Sequence, residues 1–182
     1  MTTVPEIFFV SDTHFSHANI LTFVRNDGTP VRPEFSTVEE MDEYMIEQWN
    51  SYIRPQDRVY HLGDVAMNTP AISRVMPRLN GNKRLCLGNH DPDVLALRTH
   101  FKKIVLWRIF KDEGFICSHI PLMPGQFRHK VVLNVHGHIH QNLIDDPRYF
   151  NVCVEHHDYR PVHMDEVLQK VKEAREWTQD HE

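Results

Sequence analysis

Five short apolar runs in this chain each finish on residues of metal-binding type, and no other feature constrains the fold as strongly. They are IFFVSDTH at 7–14, VYHLGD at 59–64, LCLGNHD at 85–91, FICSH at 115–119 and VLNVHGHIH at 132–140. In open α/β sheets, ligands bind in the crevice beyond the carboxyl ends of the strands. Five strand tips can therefore meet in one place although they lie far apart in sequence. Their meeting gathers Asp12, His14, Asp64, Asn89, His90, His119, His138 and His140. Residues two apart in an extended segment point the same way, which predicts that Asp12 pairs with His14 and His138 with His140. Gly63, Gly88 and Gly137 flank these residues, where a missing side chain permits a tight turn or close approach to a bound group.

The donors are carboxylate, imidazole and amide oxygen, with no cysteine among them, a set suited to manganese, iron, zinc, nickel or cobalt. The chain carries 14 histidines in 182 residues, and neutral imidazole is the commonest metal ligand. These are more ligands than one tetrahedral ion uses. Two ions roughly 3.5–4 Å apart, joined by one carboxylate, form the geometry that clamps attacking and leaving oxygens in phosphoryl displacement. Asp64 is the natural bridge. Cys86, Cys117 and Cys153 each sit within an apolar run and read as free, small hydrophobes in a reducing compartment.

A chain of this length reads as one domain over 1–182. With 41% apolar and 25% charged residues, collagen-like, disordered and membrane-spanning classes fall away. Neither a leader-type amino terminus nor a run of 18 apolar residues is present, so a cytoplasmic protein is expected. The net charge of −5 argues against gripping extended nucleic acid by counterion release. A small phosphoester or nucleotide-like substrate is the expected partner, and the sequence leaves the oligomeric state open.

Strands are predicted at Ile7 to Val10, Arg58 to Leu62, Arg84 to Leu87, Ile104 to Phe110, Phe115 to Ser118, Val131 to Val135 and Asn151 to Val154. Val38, Met41, Met45, Trp49 and Tyr52 mark a helix, with Thr37 and Glu40 as a capping box and Pro55 beyond its end. A second amphipathic helix is expected after Pro161, carrying Met164, Val167, Leu168, Val171 and Ala174 on one face. Shorter helices are predicted at His17 to Arg25, Pro70 to Leu79 and Pro92 to Thr99, the last capped by Asp91. Asn26 to Ser36 and His119 to Lys130 read as loops.

The blocks Asp12-Thr13-His14, Gly63-Asp64, Gly88-Asn89-His90-Asp91, His119 and Gly137-His138-Ile139-His140 together resemble the calcineurin-like metallophosphoesterase superfamily. The Arg32-Pro33 and Trp49-Asn50 neighbourhoods are similar to its compact single-domain bacterial and phage members. The resemblance implies an α/β fold, a four-layer αββα sandwich of two mixed β-sheets flanked by helices. It implies two divalent metal ions, manganese foremost, at one edge of the sheets. Matched by position, Asp12, His14, Asp64 and His140 stand where one ion's ligands stand, and Asp64, Asn89, His119 and His138 where the other's do. His90 matches the catalytic histidine, which binds or protonates the leaving oxygen. The implied reaction is phosphodiester hydrolysis by in-line attack of a metal-bridging hydroxide.

Protein Ser/Thr phosphatases of that superfamily continue the Gly-Asp block with Asp-Arg-Gly, whereas this chain reads Gly63-Asp64-Val65-Ala66, which disfavours phosphoprotein substrates. A nuclease or cyclic-nucleotide phosphodiesterase is the alternative enzyme. A metal-retaining protein-interaction module without catalysis is the alternative of another class. His17, at a helix start, and Arg32, in the loop, are the candidates for substrate contact. His61 and His136 read as buried or supporting residues, and His156 and His157 as candidates for the rim of the site.

Overall fold

Side chains that alternate along short strands give each of two sheets a face to bury. The computed structural model describes residues 4–91, 94–127 and 130–181. In the first sheet β1 (Ile7–Val10), β2 (Arg58–His61), β3 (Asn82–Cys86) and β4 (Ile104–Val105) run parallel, and β9 (Val162–His163) pairs antiparallel with β1. The order is β4-β3-β2-β1-β9. The second sheet holds β5 (Trp107–Phe110), β6 (Phe115–Ser118), β7 (Leu133–His136) and β8 (Tyr149–Asn151) in that order. Its β5–β6 pair is antiparallel and the other two pairs are parallel.

One run predicted at 104–110 is therefore two strands in different sheets, joined through Leu106, which is 62% exposed. Continuous β-propensity conceals that crossing. The pattern after Pro161 predicts only a helix, and the two-residue β9 precedes it. Loss of regularity also shortens the helix expected from His17 to Arg25 to a 3₁₀ turn at Ala18–Thr22.

The helix α1 (Val38–Tyr52) buries Met41, Met45, Ile46 and Trp49 along one stripe, and the Thr37 hydroxyl accepts the Glu40 N–H at 3.2 Å. α2 (Thr69–Val75) is capped by Asn68, whose side chain accepts from the Ala71 N–H, and α3 is Val94–Arg98. Pro92, predicted in the first turn of α3, lies outside the described residues. These helices share a core with Phe8, Val10, Val59 and Leu85 of the first sheet. Residues on the opposite face, Phe9, Tyr60, Leu62 and Cys86, pack in a second core with Phe110, Phe115, Cys117, Leu133 and Val135. The Phe9 ring lies 5.7 Å from both Phe110 and Phe115, edge to face, the arrangement aromatic quadrupoles favour. α4 (Met164–His181) adds Val167, Val171 and Ala174 to this core.

The fold is thus α/β, two mixed sheets flanked by helices. All three cysteines are free and buried, and burial pushes the Cys86 thiol up to about 12, so it behaves as a hydrophobe. Among the described residues no helix is long and apolar enough to cross a membrane. Parallel pairing within each sheet turns the carboxyl ends of β1, β2, β3, β6 and β7 toward one rim. There Asp12 N–H donates to the Gly63 carbonyl at 3.1 Å and Gly137 N–H to the His119 carbonyl at 2.9 Å.

Candidate metal centre

The backbone at this rim is bent, not extended. β1 ends at Val10 and β7 at His136, before either pair of expected ligands. Asp12 (φ 58°), His14 (φ 48°), Asp64 (φ 55°), His138 (φ 73°) and His140 (φ 48°) all lie in the left-handed region. Each such residue with a Cβ costs about 1–2 kcal/mol, a strain that persists only where surrounding structure over-determines it. The Asp12/His14 and His138/His140 pairs are consequently aligned by repeated left-handed kinks, which corrects the strand alternation expected for them. Two glycines make the crowding possible. A Cβ on Gly88 would run into the Asp64 carboxylate and backbone, and one on Gly137 into the Ser11 hydroxyl and Asp12 carboxylate.

Asp12 Oδ1 lies 3.7 Å from His14 Nε2 and 3.8 Å from His140 Nε2. Asp64 Oδ2 lies 3.5 Å from His14 Nε2 and 3.4 Å from His119 Nε2. His119 Nε2 in turn is 2.8 Å from Asn89 Oδ1 and 3.2 Å from His138 Nδ1. Among the described residues, two groups have donor atoms all within 4.8 Å of one another: Asp12, His14 and His140, and Asp12, Asp64 and His119. Asp12 belongs to both, while Asp64 Oδ2 touches a histidine of each. His90 is exposed, its ring 5.7 Å from that of His14, and its backbone N–H donates to Asp64 Oδ1 at 2.8 Å. Every residue of the expected ligand set, and His90, is therefore in one cluster.

Donor chemistry at this cluster calls for positive charge. Asp12 Oδ1 and both ring nitrogens of His14 are buried without a hydrogen-bond partner, although buried polar atoms are nearly always satisfied. His119 Nδ1 is 2.8 Å from the Leu62 carbonyl and must donate to it. In the neutral ring, Nε2 is then an acceptor facing a second acceptor, Asn89 Oδ1. Burial opposes charge on His119, yet Asp64 and Asp12 outweigh it and raise the pKa. Burial likewise opposes charge on Asp12, and the rings of His14, His140 and His119 nevertheless hold its carboxyl well below the usual carboxylate range. These residues fit a divalent cation: converging lone pairs, two carboxylates and no buried cation of the chain's own among them.

The residues behind the cluster were less visible in the sequence. Arg32, expected to contact substrate, is 1% exposed and spends its donors inside the protein. Its Nη atoms donate to the carbonyls of Asp12 at 2.6 Å and Thr13 at 3.0 Å, and its Nε and Nη2 to Glu155 Oε1 at 2.9 and 2.7 Å. It clamps the first ligand loop and does not face the site. Glu155, not singled out in the sequence, follows the apolar Asn151 to Val154 run as the candidate ligands follow theirs, which is the signal that marks it.

Asp91 accepts N–H groups from Gly88 at 2.7 Å, Val65 at 2.8 Å and Asp64 at 3.2 Å; the helix cap expected of it falls on residues outside those described. It ties the second ligand loop to the third. His61 is fully buried: its Nδ1 accepts the Gly63 N–H at 3.2 Å and its Nε2 meets the Thr13 hydroxyl at 3.0 Å. His136 is buried too, with Nδ1 2.9 Å from the Gly137 carbonyl. His156 Nε2 lies 2.7 Å from the His140 carbonyl and His157 Nε2 2.9 Å from that of Asn151, so both brace loops. The His17 ring is 5.4 Å from His14, and burial, then His14 and Arg32, lower its pKa to about 4, leaving it neutral at pH 7.

No protein-family model matches the chain. The uncharacterized protein MJ1445 of Methanocaldococcus jannaschii is 30% identical over 182 residues, covering 93% of each chain. The Gene 66 protein of Mycobacterium phage L5 is 29% identical over 136 residues, 71% of this chain and 61% of that one. Among solved structures, the protein of unknown function AQ665 from Aquifex aeolicus aligns with a TM-score of 0.71 and 27% identity, over 90% of this chain and 98% of its own.

Proposed function

We propose that this chain, which belongs to the same family as the Methanocaldococcus jannaschii protein MJ1445, is a dinuclear-metal phosphohydrolase of the calcineurin-like kind, a phosphodiesterase acting on a small or exposed phosphoester. The observation that carries this reading is the buried, unpartnered Asp12 Oδ1, which faces His14 and His140, beside Asp64 Oδ2, which lies near both His14 and His119. Asp12, His14, Asp64 and His140 are assigned to one divalent ion, and Asp64, Asn89, His119 and His138 to the other. Manganese is favoured, with iron, zinc, nickel or cobalt as alternatives. Bound there, such ions supply charge against the phosphate oxygens and a water that ionises near neutral pH.

His90 is assigned to protonate the leaving oxygen. Its support is an exposed ring 5.7 Å from that of His14, at the open side of the cluster. His17, held neutral, is assigned a hydrogen bond to a phosphate oxygen. Arg32 and Glu155 fix the first loop and the His140 ring, and Asp91 the second and third loops.

Preference for a diester rests on two clefts. One, of ≈ 410 Å³, opens at Asn89 and His119 and is walled by Leu87, Leu106, Trp107 and Ile120. The other, of ≈ 380 Å³, opens at His138 and His140 and is walled by Ile20, Phe23 and Val24. A diester carries two substituents, and each has an apolar cleft beside the cluster; a monoester has a group for one.

Metal content measured together with a substrate panel tests this. Bis-p-nitrophenyl phosphate, 2′,3′- and 3′,5′-cyclic nucleotides, short oligonucleotides and p-nitrophenyl phosphate are compared under Mn²⁺, Fe²⁺, Co²⁺, Ni²⁺ and Zn²⁺. Turnover of diesters above the monoester is the expected result. Monoester turnover alone overturns the diester assignment, and bound metal with no turnover anywhere leaves a non-catalytic module.

A further inference from the structure

At the open edge between the sheets, where β4 and β5 lie, a cleft of ≈ 280 Å³ is lined by Arg58, Arg84, Lys103 and Arg108 over Tyr60. Among the described residues no carboxylate lines it. Among the described residues the ion pairs of arginine and lysine involve other side chains and none of these four. Four unpaired cations facing one cavity are conspicuous in a chain of net charge −5. Three of the four, Arg58, Lys103 and Arg108, are exposed and Arg84 is half-buried, so their charges are open to an incoming anion. Burial lowers the Arg84 pKa; Tyr60 opposes the shift, and Arg58 and Arg108 add to it.

The cleft is separate from the metal centre. Arg58 opens β2 and Asp64 lies beyond its other end; the strand from Arg58 to His61 alone spans about 10 Å. We infer that this cleft is an oligophosphate-binding site, taking pyrophosphate or triphosphate, free or as the tail of a nucleotide. Guanidinium forks match phosphate oxygens in pairs. One phosphate carries roughly two charges and leaves half the cations unmatched; two or three linked phosphates match all four. A nucleic-acid strand is disfavoured because such grooves add exposed aromatic platforms, whereas Tyr60 is 6% exposed and lies under the Arg84 guanidinium, 5.6 Å from ring centre to Cζ.

Calorimetric titration of tripolyphosphate, pyrophosphate and ATP into the metal-loaded protein and into its Asp64→Asn variant tests the site, with sulfate and a short single-stranded oligonucleotide as comparators. One saturable oligophosphate event per chain is expected to persist in Asp64→Asn. It should weaken roughly tenfold or more in Arg108→Ala and in Lys103→Ala, the loss of one charge-assisted contact, at unchanged melting temperature. Both replaced side chains are exposed, so the fold is preserved, and equal affinity for ATP and triphosphate identifies the phosphate tail as the ligand. Absence of saturable binding, its loss in Asp64→Asn, sulfate binding as tightly as triphosphate, or displacement only by the oligonucleotide each overturns the inference.

Discussion

Glu155 Oε1 accepts the Nδ1–H of His140 at 3.1 Å, and this bond turns His140 Nε2 toward Asp12 Oδ1. Burial works against charge on Glu155, but Arg32 and His140 hold its pKa at about 2, so the carboxylate is ionised wherever the protein is folded. A carboxylate behind a metal-binding imidazole fixes its tautomer and raises its basicity. Glu155→Gln is therefore expected to lower metal affinity at the Asp12, His14 and His140 group by about 10–100-fold. Competition titration with a metal-sensitive dye measures it. Undiminished affinity in a folded variant would reduce Glu155 to a partner of Arg32 alone.

His90 and Asn89 are neighbours with separable consequences. His90→Gln should slow diester turnover by about 10²–10⁴-fold with metal content unchanged, the signature of a lost general acid. Asn89→Ala removes an oxygen 2.8 Å from His119 Nε2 and should reduce bound metal instead. Elemental analysis beside steady-state rates distinguishes the two, and a His90→Gln enzyme of wild-type rate excludes that side chain from the chemistry.

Asp91 holds three backbone donors from two loops. Asp91→Ala strands them in a partly buried place, where each unsatisfied group costs about 1–3 kcal/mol. A loss of about 2–4 kcal/mol overall is expected after water reaches some of them. For a chain of this size the melting temperature then falls roughly 2–4 °C per kcal/mol. Asp91→Asn keeps an acceptor and should fall less. If both variants melt with the wild type, the carboxylate's three bonds contribute nothing to stability.

These particulars show where sequence is informative and where it is silent. Residue type at the end of each apolar run was enough to name the cluster, because parallel pairing brings strand ends of the same sense together. Local signals also held: Thr37 caps α1, and β1 and β6 run as expected. The left-handed backbone at Asp12 and His14 had no local signal. It is enforced by N–H bonds from Asp12 to Gly63 and from His14 to Asp64, partners about fifty positions away. Arg32 read as a loop arginine, which is usually solvated; only the carbonyls and Glu155 around it show that it is a clamp.

Trp107 is 56% exposed on β5 beside Asn89 and His119, and an aromatic ring in that position offers a stacking face. Stacking of a base on such a side chain contributes about 1–3 kcal/mol. Trp107→Ala should raise KM for aryl or nucleoside diesters roughly tenfold or more, with kcat little changed, since an indole ring stacks on a substituent and moves no proton in the reaction. Equal KM for the variant and the wild type across aryl and alkyl diesters argues that the cleft is not a substrate subsite.

His61 makes stability depend on pH in a predictable direction. Burial lowers its pKa from 6.5 to about 3, and its two hydrogen bonds use the neutral ring. In the unfolded chain the ring takes up a proton as pH falls through about 6.5, whereas the folded protein resists until about 3. The unfolded state thus binds more protons across that interval, so folding stability is full above pH 6.5 and declines as pH drops toward 3. The slope reaches about 1.4 kcal/mol per pH unit for one such histidine. His17, lowered to about 4, adds in the same direction. His61→Gln offers an amide to Thr13 and Gly63 without a titrating group, at some cost in packing against Trp49, whose ring lies 6.3 Å away. Chemical denaturation of the metal-free proteins between pH 7 and 4.5 should show the variant less stable at pH 7, with the gap to wild type narrowing as pH falls. Parallel lines would mean that His61 is protonated in the folded protein, and that the Gly63 turn does not depend on its neutral ring.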